Sequence, residues 1–283
     1  MTKNLKTSDH SRDIIGLKYV YPVISRRAGG LSIGINFNPN NACNWRCIYC
    51  QVPGLVRGSA PEMDLITLEK ELRYFLELVI HGDFFEQFEV PEQQRVIKDI
   101  AISGNGEPTS LDSFDKAIRL IAQIATEMQV FPQSDWVLIT NGSLIHKQAV
   151  QRGLSILNEY QGQVWFKLDS ATDFGRNKIN QCKQGIEKTL ENLILSVSLC
   201  ETRLQTCMVG YFDAETEKVE QTAYLDFLKS LINKQVELKK IMLYTLARPS
   251  LQPEANQLNK LDLALIKQFA EQIKALGYSV SVS

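Results

Sequence analysis

A chain of 283 residues with 44% hydrophobic and 22% charged residues has an ordinary globular composition, long enough to bury a core as one α/β domain or as two small ones. Its 31 basic and 32 acidic residues leave a formal charge of −1, so no global field draws in nucleic acid or an anionic membrane, and any polyanion must be bound locally. No apolar run approaches the length of a membrane span, and the polar start lacks the apolar core of a signal peptide, which predicts a cytoplasmic protein without membrane contact and with reduced thiols.

Residues 1 to about 12 are polar and are expected to form a mobile tail, ahead of a single domain over residues 13–283. Residues 17–24 and 31–37 are β-rich runs separated by Gly29 and Gly30, which favour a turn, so a hairpin or leading strand is expected. The second run alternates Ile33, Ile35 and Phe37 and delivers the chain into residues 41–51, where Cys43, Cys47 and Cys50 stand in a C-x3-C-x2-C array. Beyond it Leu65, Leu68, Leu72, Phe75 or Leu76, and Val79 recur at helical spacing, with Asp64 or Thr67 placed to cap the start. From Gly82 to Gln94 the pattern dissolves into aromatics and acids around Pro91, which reads as a loop or lid-like insertion.

A strand-helix alternation follows, with boundaries good to a few residues. Strands are expected at residues 100–103, 136–140, 164–169, 204–211 and 239–246. Helices are expected over 114–128, 146–160, 185–200 and 216–233. A last helix is predicted to carry Leu261, Leu265, Phe269, Ile273 and Leu276 on one face, before a strand-like 278–282. Strands that alternate with helices demand right-handed crossovers and a parallel sheet, so the fold class is α/β.

Three thiolates within eight residues converge on one inorganic cluster if the backbone loops around it, whereas a [4Fe–4S] cube held wholly by protein needs four cysteines. One iron is then left open to an exogenous ligand. A structural zinc calls for four Cys or His positions, usually as two separated pairs, and no second pair follows. A disulfide framework suits a short secreted chain better than this one. A closed ferredoxin-type cluster would take its fourth ligand from Cys182, Cys200 or Cys207, all distant in sequence. His10, His81 and His146 show no ligand spacing.

With Tyr49 in the aromatic place, the array resembles the C-x3-C-x-aromatic-C motif of the radical S-adenosylmethionine (radical SAM) superfamily. The resemblance implies a partial (β/α)6 TIM-like barrel, open on one side, whose six core strands begin at the cysteine loop. Short N-terminal strand or hairpin and C-terminal extensions flank it. It also implies a [4Fe–4S] cluster held by Cys43, Cys47 and Cys50, with S-adenosylmethionine chelating the open iron. One electron breaks a carbon–sulfur bond of the sulfonium, and the resulting 5′-deoxyadenosyl radical takes hydrogen from a substrate. An external one-electron reductase such as flavodoxin or ferredoxin is implied, because no flavin or second-cluster motif is present.

In α/β barrels the working residues sit at the carboxyl ends of strands, and four polar signals fall there. Besides the cysteines, Gly104, Asn105, Gly106 and Glu107 resemble the glycine-glycine-glutamate-proline motif that meets the methionine amino group through its backbone. Asn105 stands where many members have glycine. Asn141 and Asp169 are candidates to bond the ribose hydroxyls or the methionine carboxylate, Lys167 to neutralise that carboxylate, and Met208 to pack on adenine.

Three further stretches resemble the wyosine-type, tRNA-modifying branch: Pro22-Val-Ile-Ser-Arg-Arg27, Ser103-Gly-Asn-Gly-Glu-Pro-Thr109 and Tyr244-Thr-Leu-Ala-Arg-Pro249. That branch carries a second cluster from cysteines preceding the radical SAM motif, and here none precedes Cys43. Arg26, Arg27, Arg57 and Arg248 are candidates for a local anion site, since guanidinium pairs bidentately with phosphate. The expected substrate is RNA or another phosphate-bearing molecule. The alternatives are a peptide- or protein-modifying radical SAM enzyme or activase, and, in another class, a non-catalytic iron–sulfur protein that carries electrons or senses oxygen.

Overall fold

The computed structural model describes residues 15–25 and 29–283. The expected tail over residues 1–12, and Arg26 and Arg27, lie outside the described residues. The two β-rich runs form β1 (Val20–Ser25) and β2 (Gly30–Ile35), which pair antiparallel from Val20 with Ile35 to Ser25 with Gly30. The expected hairpin is present.

From β2 onward the sheet is parallel. It continues through β3 (Ile97–Ile102), β4 (Asp135–Thr140), β5 (Gln163–Lys167), β6 (Glu201–Cys207), β7 (Lys240–Tyr244) and β8 (Val280–Val282), each strand lying beside the next in chain order. Strands β1 and β8 are the two ends and do not pair with each other, so the barrel is partial and open. The crossovers carry α1 (Leu65–Ile80), α2 (Phe114–Glu127), α3 (Gln148–Glu159), α4 (Asp173–Asn180), α5 (Ile186–Leu199), α6 (Ala214–Asn233) and α7 (Leu263–Lys274). No helix among the described residues is long and apolar enough to cross a membrane.

The strands have two unlike faces because side chains alternate along them. Leu31, Ile33, Ile35, Ile100, Ile102, Leu138, Val164, Phe166, Leu204, Ile241 and Leu243 are buried in the main core beneath the helices. Between them Ser32, Gly34, Asp99, Ala101, Asp135, Val137, Trp165, Lys240 and Met242 line the concave face. Helix α1 begins as its sequence predicts: Asp64 caps it by accepting the N–H groups of Ile66 (3.0 Å) and Thr67 (3.1 Å).

Four expectations need correction. The lid-like reading of 82–94 gives way to a helical turn at Phe84–Gln87 and another at Glu92–Gln94. The aromatics there are core, with the Phe84 ring 5.2 Å from Phe75 and 4.8 Å from Phe88. The strand expected over 204–211 ends at Cys207, and Val209–Gly210 instead pairs antiparallel with Asn259–Lys260 in a separate ribbon. The inward face of α7 is Ile266, Phe269, Ala270 and Ile273, while Leu265 is 53% exposed. A strict four-residue repeat drifts round a helix of 3.6 residues per turn, whereas the mixed three- and four-residue spacing stays on one face. Finally, α4 was not foreseen.

Candidate cluster and cofactor site

The carboxyl end of β2 feeds a loop pinned from below. Buried Asn36 accepts through Oδ1 from the N–H groups of Asn38 and Asn105, both at 3.0 Å, and Asn38 Nδ2 donates to the Ala42 carbonyl at 2.9 Å. These bonds lash the cysteine loop to the loop after β3. The two backbones press so closely that a Cβ on Gly104 would lie 2.2 Å from Asn36 Oδ1, and one on Gly106 would lie 1.9 Å from the Ala42 carbonyl oxygen. Glycine is required at both places for this approach. Asn105 has a use of its own: Nδ2 donates at 2.6 Å to Oδ1 of Asn41, whose backbone is left-handed at φ 55°.

Helix α4 backs the loop from the other side. Its last carbonyls, of Ile179 and Asn180, accept from Ile48 (2.8 Å) and Arg46 (3.1 Å), the residues flanking Cys47. Cys43, Cys47 and Cys50 thereby share one cavity of about 190 Å³ with Tyr49, Gly104, Asn105, Gly106, Glu107, Asn141 and Lys167. Each of these residues was named from the sequence.

The polar side chains around the cavity are mostly engaged with one another. Glu107, 2% exposed, accepts at Oε1 from the Thr109 N–H (3.0 Å) and the hydroxyls of Thr109 and Thr140 (both 2.6 Å), and at Oε2 from the Asn141 N–H (2.7 Å). Burial pushes its carboxyl up, and these four donors push back. The carboxylate therefore fastens the loop after β3 to the end of β4. Among the described residues no hydrogen bond engages the carbonyls of Gly104, Asn105 or Gly106, and the backbone is the part of this motif left to receive a ligand.

Asn141 is likewise tied: Oδ1 accepts from the Ser143 hydroxyl at 2.7 Å, and Nδ2 donates to Asn44 Oδ1 at 2.8 Å. Asp169 lies beyond the strand end and does not line the cavity. It accepts from the Tyr49 hydroxyl and from Asn180 Nδ2 (2.7 Å) at Oδ2, and from the Cys207 N–H (2.8 Å) at Oδ1. Its action on the cavity passes through Tyr49, whose ring carries the Lys167 ammonium 4.8 Å from its centroid. Burial pushes the Tyr49 phenol well up, with Asp169 adding to it, so it stays a donor. Met208 does not line the cavity; its N–H donates to the Tyr244 carbonyl at 2.8 Å.

The thiols suit a cluster. Burial, then the Glu107 charge, pushes Cys43 up to about 12, and burial pushes Cys47 up to about 11 against the pull of Lys167. Thiols so placed are neutral unless a metal supplies the positive charge that deprotonates them. Two donors already face the sulfurs: the Trp45 N–H at 3.4 Å from Cys43 Sγ and Asn180 Nδ2 at 3.2 Å from Cys47 Sγ. Such bonds tune iron–sulfur clusters. Among the described residues no three His, Cys, Asp or Glu groups converge on a single ion, whereas a cube spreads its ligands over several irons.

The arginines divide. Arg248 lines a larger cavity of about 1080 Å³, the lumen over the concave face of the sheet, beside Gln51, whose Nε2 donates to its carbonyl at 3.1 Å. Arg57 lines a different, outer pocket. The expected four-arginine anion site is therefore not one site in its described members. Lumen and cluster cavity share Ser103, Asn105 and Ile139 on their walls. Sequence reasoning missed Asn36, Trp45, Thr140 and Asn180. Trp45 and Thr140 lay inside the motif stretches without a role of their own, and Asn180 had an indirect signal in the capping residue Thr172, which starts α4 by accepting from Gly175 N–H at 2.8 Å.

A family model described as the radical SAM superfamily matches residues 37–223. Among curated proteins, the chain is 30% identical over 135 residues to a GTPase Obg of Brachyspira hyodysenteriae, covering 48% of this chain and 17% of that protein. It is 28% identical over 217 residues to the UPF0026 protein MJ1312 of Methanocaldococcus jannaschii, covering 74% and 59%. The chain thus spans less than two thirds of either relative. Among solved structures, TYW1 with a lysine-pyruvate adduct bound superposes with a TM-score of 0.57 at 16% identity, over 88% of this chain and 74% of that one. The protein anSMEcpe with bound AdoMet gives 0.52 at 16% identity, over 89% and 63%. These two likenesses are of fold.

Proposed function

Because the chain belongs to the radical SAM superfamily, whose enzymes use a [4Fe–4S] cluster and S-adenosylmethionine, we propose that Cys43, Cys47 and Cys50 hold the cluster. The radical then acts on a phosphate-bearing substrate, RNA foremost, seated in the lumen. When bound, the cluster supplies the electron that cleaves S-adenosylmethionine to the 5′-deoxyadenosyl radical. The observation that carries this reading is the shared lining: three cysteines, the Gly104-to-Gly106 backbone and Lys167 wall one cavity, and that cavity meets the lumen at Ser103, Asn105 and Ile139.

Each wall residue then has a task. The open carbonyls of Gly104, Asn105 and Gly106 accept from the methionine ammonium. Lys167 meets the carboxylate, steadied over the Tyr49 ring by cation–π attraction. Glu107, Asn141 and Asp169 are positioning residues, because their side chains bond loops and Tyr49 to one another. Arg248, on a lumen wall that also carries Lys18 and Lys240, is the guanidinium suited to a phosphate.

Anaerobically reconstituted protein given dithionite and S-adenosylmethionine should release 5′-deoxyadenosine and carry about four irons per chain. Near eight irons would mean a second cluster. For the substrate, Arg248→Ala should weaken RNA binding and reduce its salt dependence. Unchanged binding and slope would count against RNA and favour a peptide or protein substrate.

A further inference from the structure

Behind the cluster cavity lies a second pocket, of about 550 Å³, open to the surface and lined by Asn44, Trp45, Arg57, Ser143, His146 and Lys183 among others, with no carboxylate on its wall. Resting on the cluster assignment above, we infer that this pocket is the docking surface for an acidic protein that donates single electrons from an exposed flavin or iron–sulfur centre.

The Arg57 charge is fixed, and the Asp173 and Glu187 carboxylates stand at the edge of the wall, within 4 Å of a Cβ placed on Gly185 beside Gln184. The Arg57 guanidinium donates to two backbone carbonyls, of Asn44 and Gln181, both at 2.6 Å. Lys183 and His146 are exposed beside it. The nearest acid bonded to the pocket's residues is Glu254, which accepts from Gln181 at 3.2 Å but is neutralised by the two-pronged Arg46 pair at 2.6 and 2.8 Å. Such a patch steers an acidic partner and sets its orientation.

The location selects an electron donor over a substrate. Trp45 belongs to the wall of both this pocket and the cluster cavity, and its own N–H sits 3.4 Å from Cys43 Sγ. An electron entering here arrives at the residue whose backbone N–H already faces the Cys43 sulfur. The lumen meets the cluster cavity at a different wall, at Ser103, Asn105 and Ile139, so a docked donor leaves the substrate's side clear. An RNA phosphate held by Arg57 and Lys183 would lie on the far side of the cluster from the lumen. In the transfer the donor's reduced centre loses one electron and the cluster gains it; no bond forms or breaks and no proton moves.

The test is stopped-flow reduction of the reconstituted holoenzyme by reduced flavodoxin of net negative charge, comparing wild type with the double variant Lys183→Glu and His146→Glu. The variant's bimolecular rate should fall about tenfold or more at low ionic strength, with the gap closing at high salt, while dithionite reduces both proteins alike. Calorimetric affinity for oxidised flavodoxin should fall in parallel. Arg57→Glu should deepen the loss, and it is compared only if its melting temperature is retained, because Arg57 also bonds backbone. Equal flavodoxin rates and affinities for wild type and double variant would overturn the inference. Loss of RNA binding by the double variant with flavodoxin reduction intact would also overturn it and assign the pocket to RNA. Failure of dithionite to reduce any cluster in wild type would instead undo the cluster assignment itself.

Discussion

The cluster cavity and the lumen meet at Ser103, Asn105 and Ile139, yet their walls are built on opposite terms. Around the cluster cavity, polar side chains bond across loops: Glu107 holds four donors, Asn141 is tied to Asn44 and Ser143, and Asp169 is tied to Tyr49 and Asn180. Along the lumen the wall is a strand face that mixes small residues such as Gly34 and Ala101 with Trp165, Met242 and Lys240, and its ties include Ser32 to Asp99, Tyr21 to Ser103 and Trp165 Nε1 to Gln163 at 2.9 Å. The difference teaches where each task is held. Radical chemistry needs ligands fixed within fractions of an ångström, and a cross-bonded rim supplies that. The lumen, walled by alternate positions of successive strands, is shaped by substitution at those positions.

The largest break in this comparison is removal of a thiol. Cys47→Ala should reduce bound iron from about four per chain to under about one and abolish 5′-deoxyadenosine release, by iron assay and chromatography, with the fold retained by circular dichroism. Iron near the wild-type level would mean that the ligands lie elsewhere. Next comes Glu107→Gln, which turns an amide toward donors that now meet a carboxylate. It should cost about 2 kcal/mol of stability by urea unfolding; a change within about 0.5 kcal/mol, typical of uninvolved surface sites, would show that the rim is not cross-bonded through this residue.

A double-mutant cycle sharpens the comparison further. Tyr49→Phe and Asp169→Ala should couple by about 1 kcal/mol, because each removes the same hydrogen bond, and additive effects would deny the latch. The smallest expected effect is in the lumen. Burial, opposed by the Ser32 hydroxyl and aided by Asp135, raises Asp99 from 3.8 to about 6. Since the native state favours the protonated form, stability should fall as pH rises from the ordinary carboxylate value through about 6. Asp99→Asn should match wild type near pH 4 and exceed it above pH 7 by on the order of 1 kcal/mol, as read by denaturant midpoints at the two pH values. Equal stability at both would remove Asp99 from the buried groups.

The sheet order and the rim were legible in the sequence because strand periodicity and the cysteine array are local signals. Asn141 and Lys167 could be placed on the rim once the strands were counted. Roles were harder to read than places. Glu107 and Asp169 are carboxylates at strand ends, and only the folded loops show that they bond Thr140, Asn141 and Tyr49. Helix α4 was invisible for a physical reason: it buries Arg176 and Asn180, polar residues, and so lacks an apolar stripe. Asn105, a departure from the glycine of the resembled motif, turns out to bond Asn41 across the loop. The lumen floor carried no motif of its own, although Arg248, Ser103 and Asn105 on its wall fall in quoted stretches, because a face of Ser32, Gly34, Asp99 and Ala101 is recognisable as a chamber only when the opposite face is known to be the core.

The most direct measurement is 5′-deoxyadenosine formed by anaerobically reconstituted protein with dithionite and S-adenosylmethionine, set against Lys167→Ala, in which the cysteines are intact. Wild type is expected to form it, and Lys167→Ala to keep its iron while needing at least about tenfold more S-adenosylmethionine, as loss of a charge-assisted contact implies. No 5′-deoxyadenosine from wild-type protein carrying about four irons would contradict the assignment of this cavity to S-adenosylmethionine cleavage.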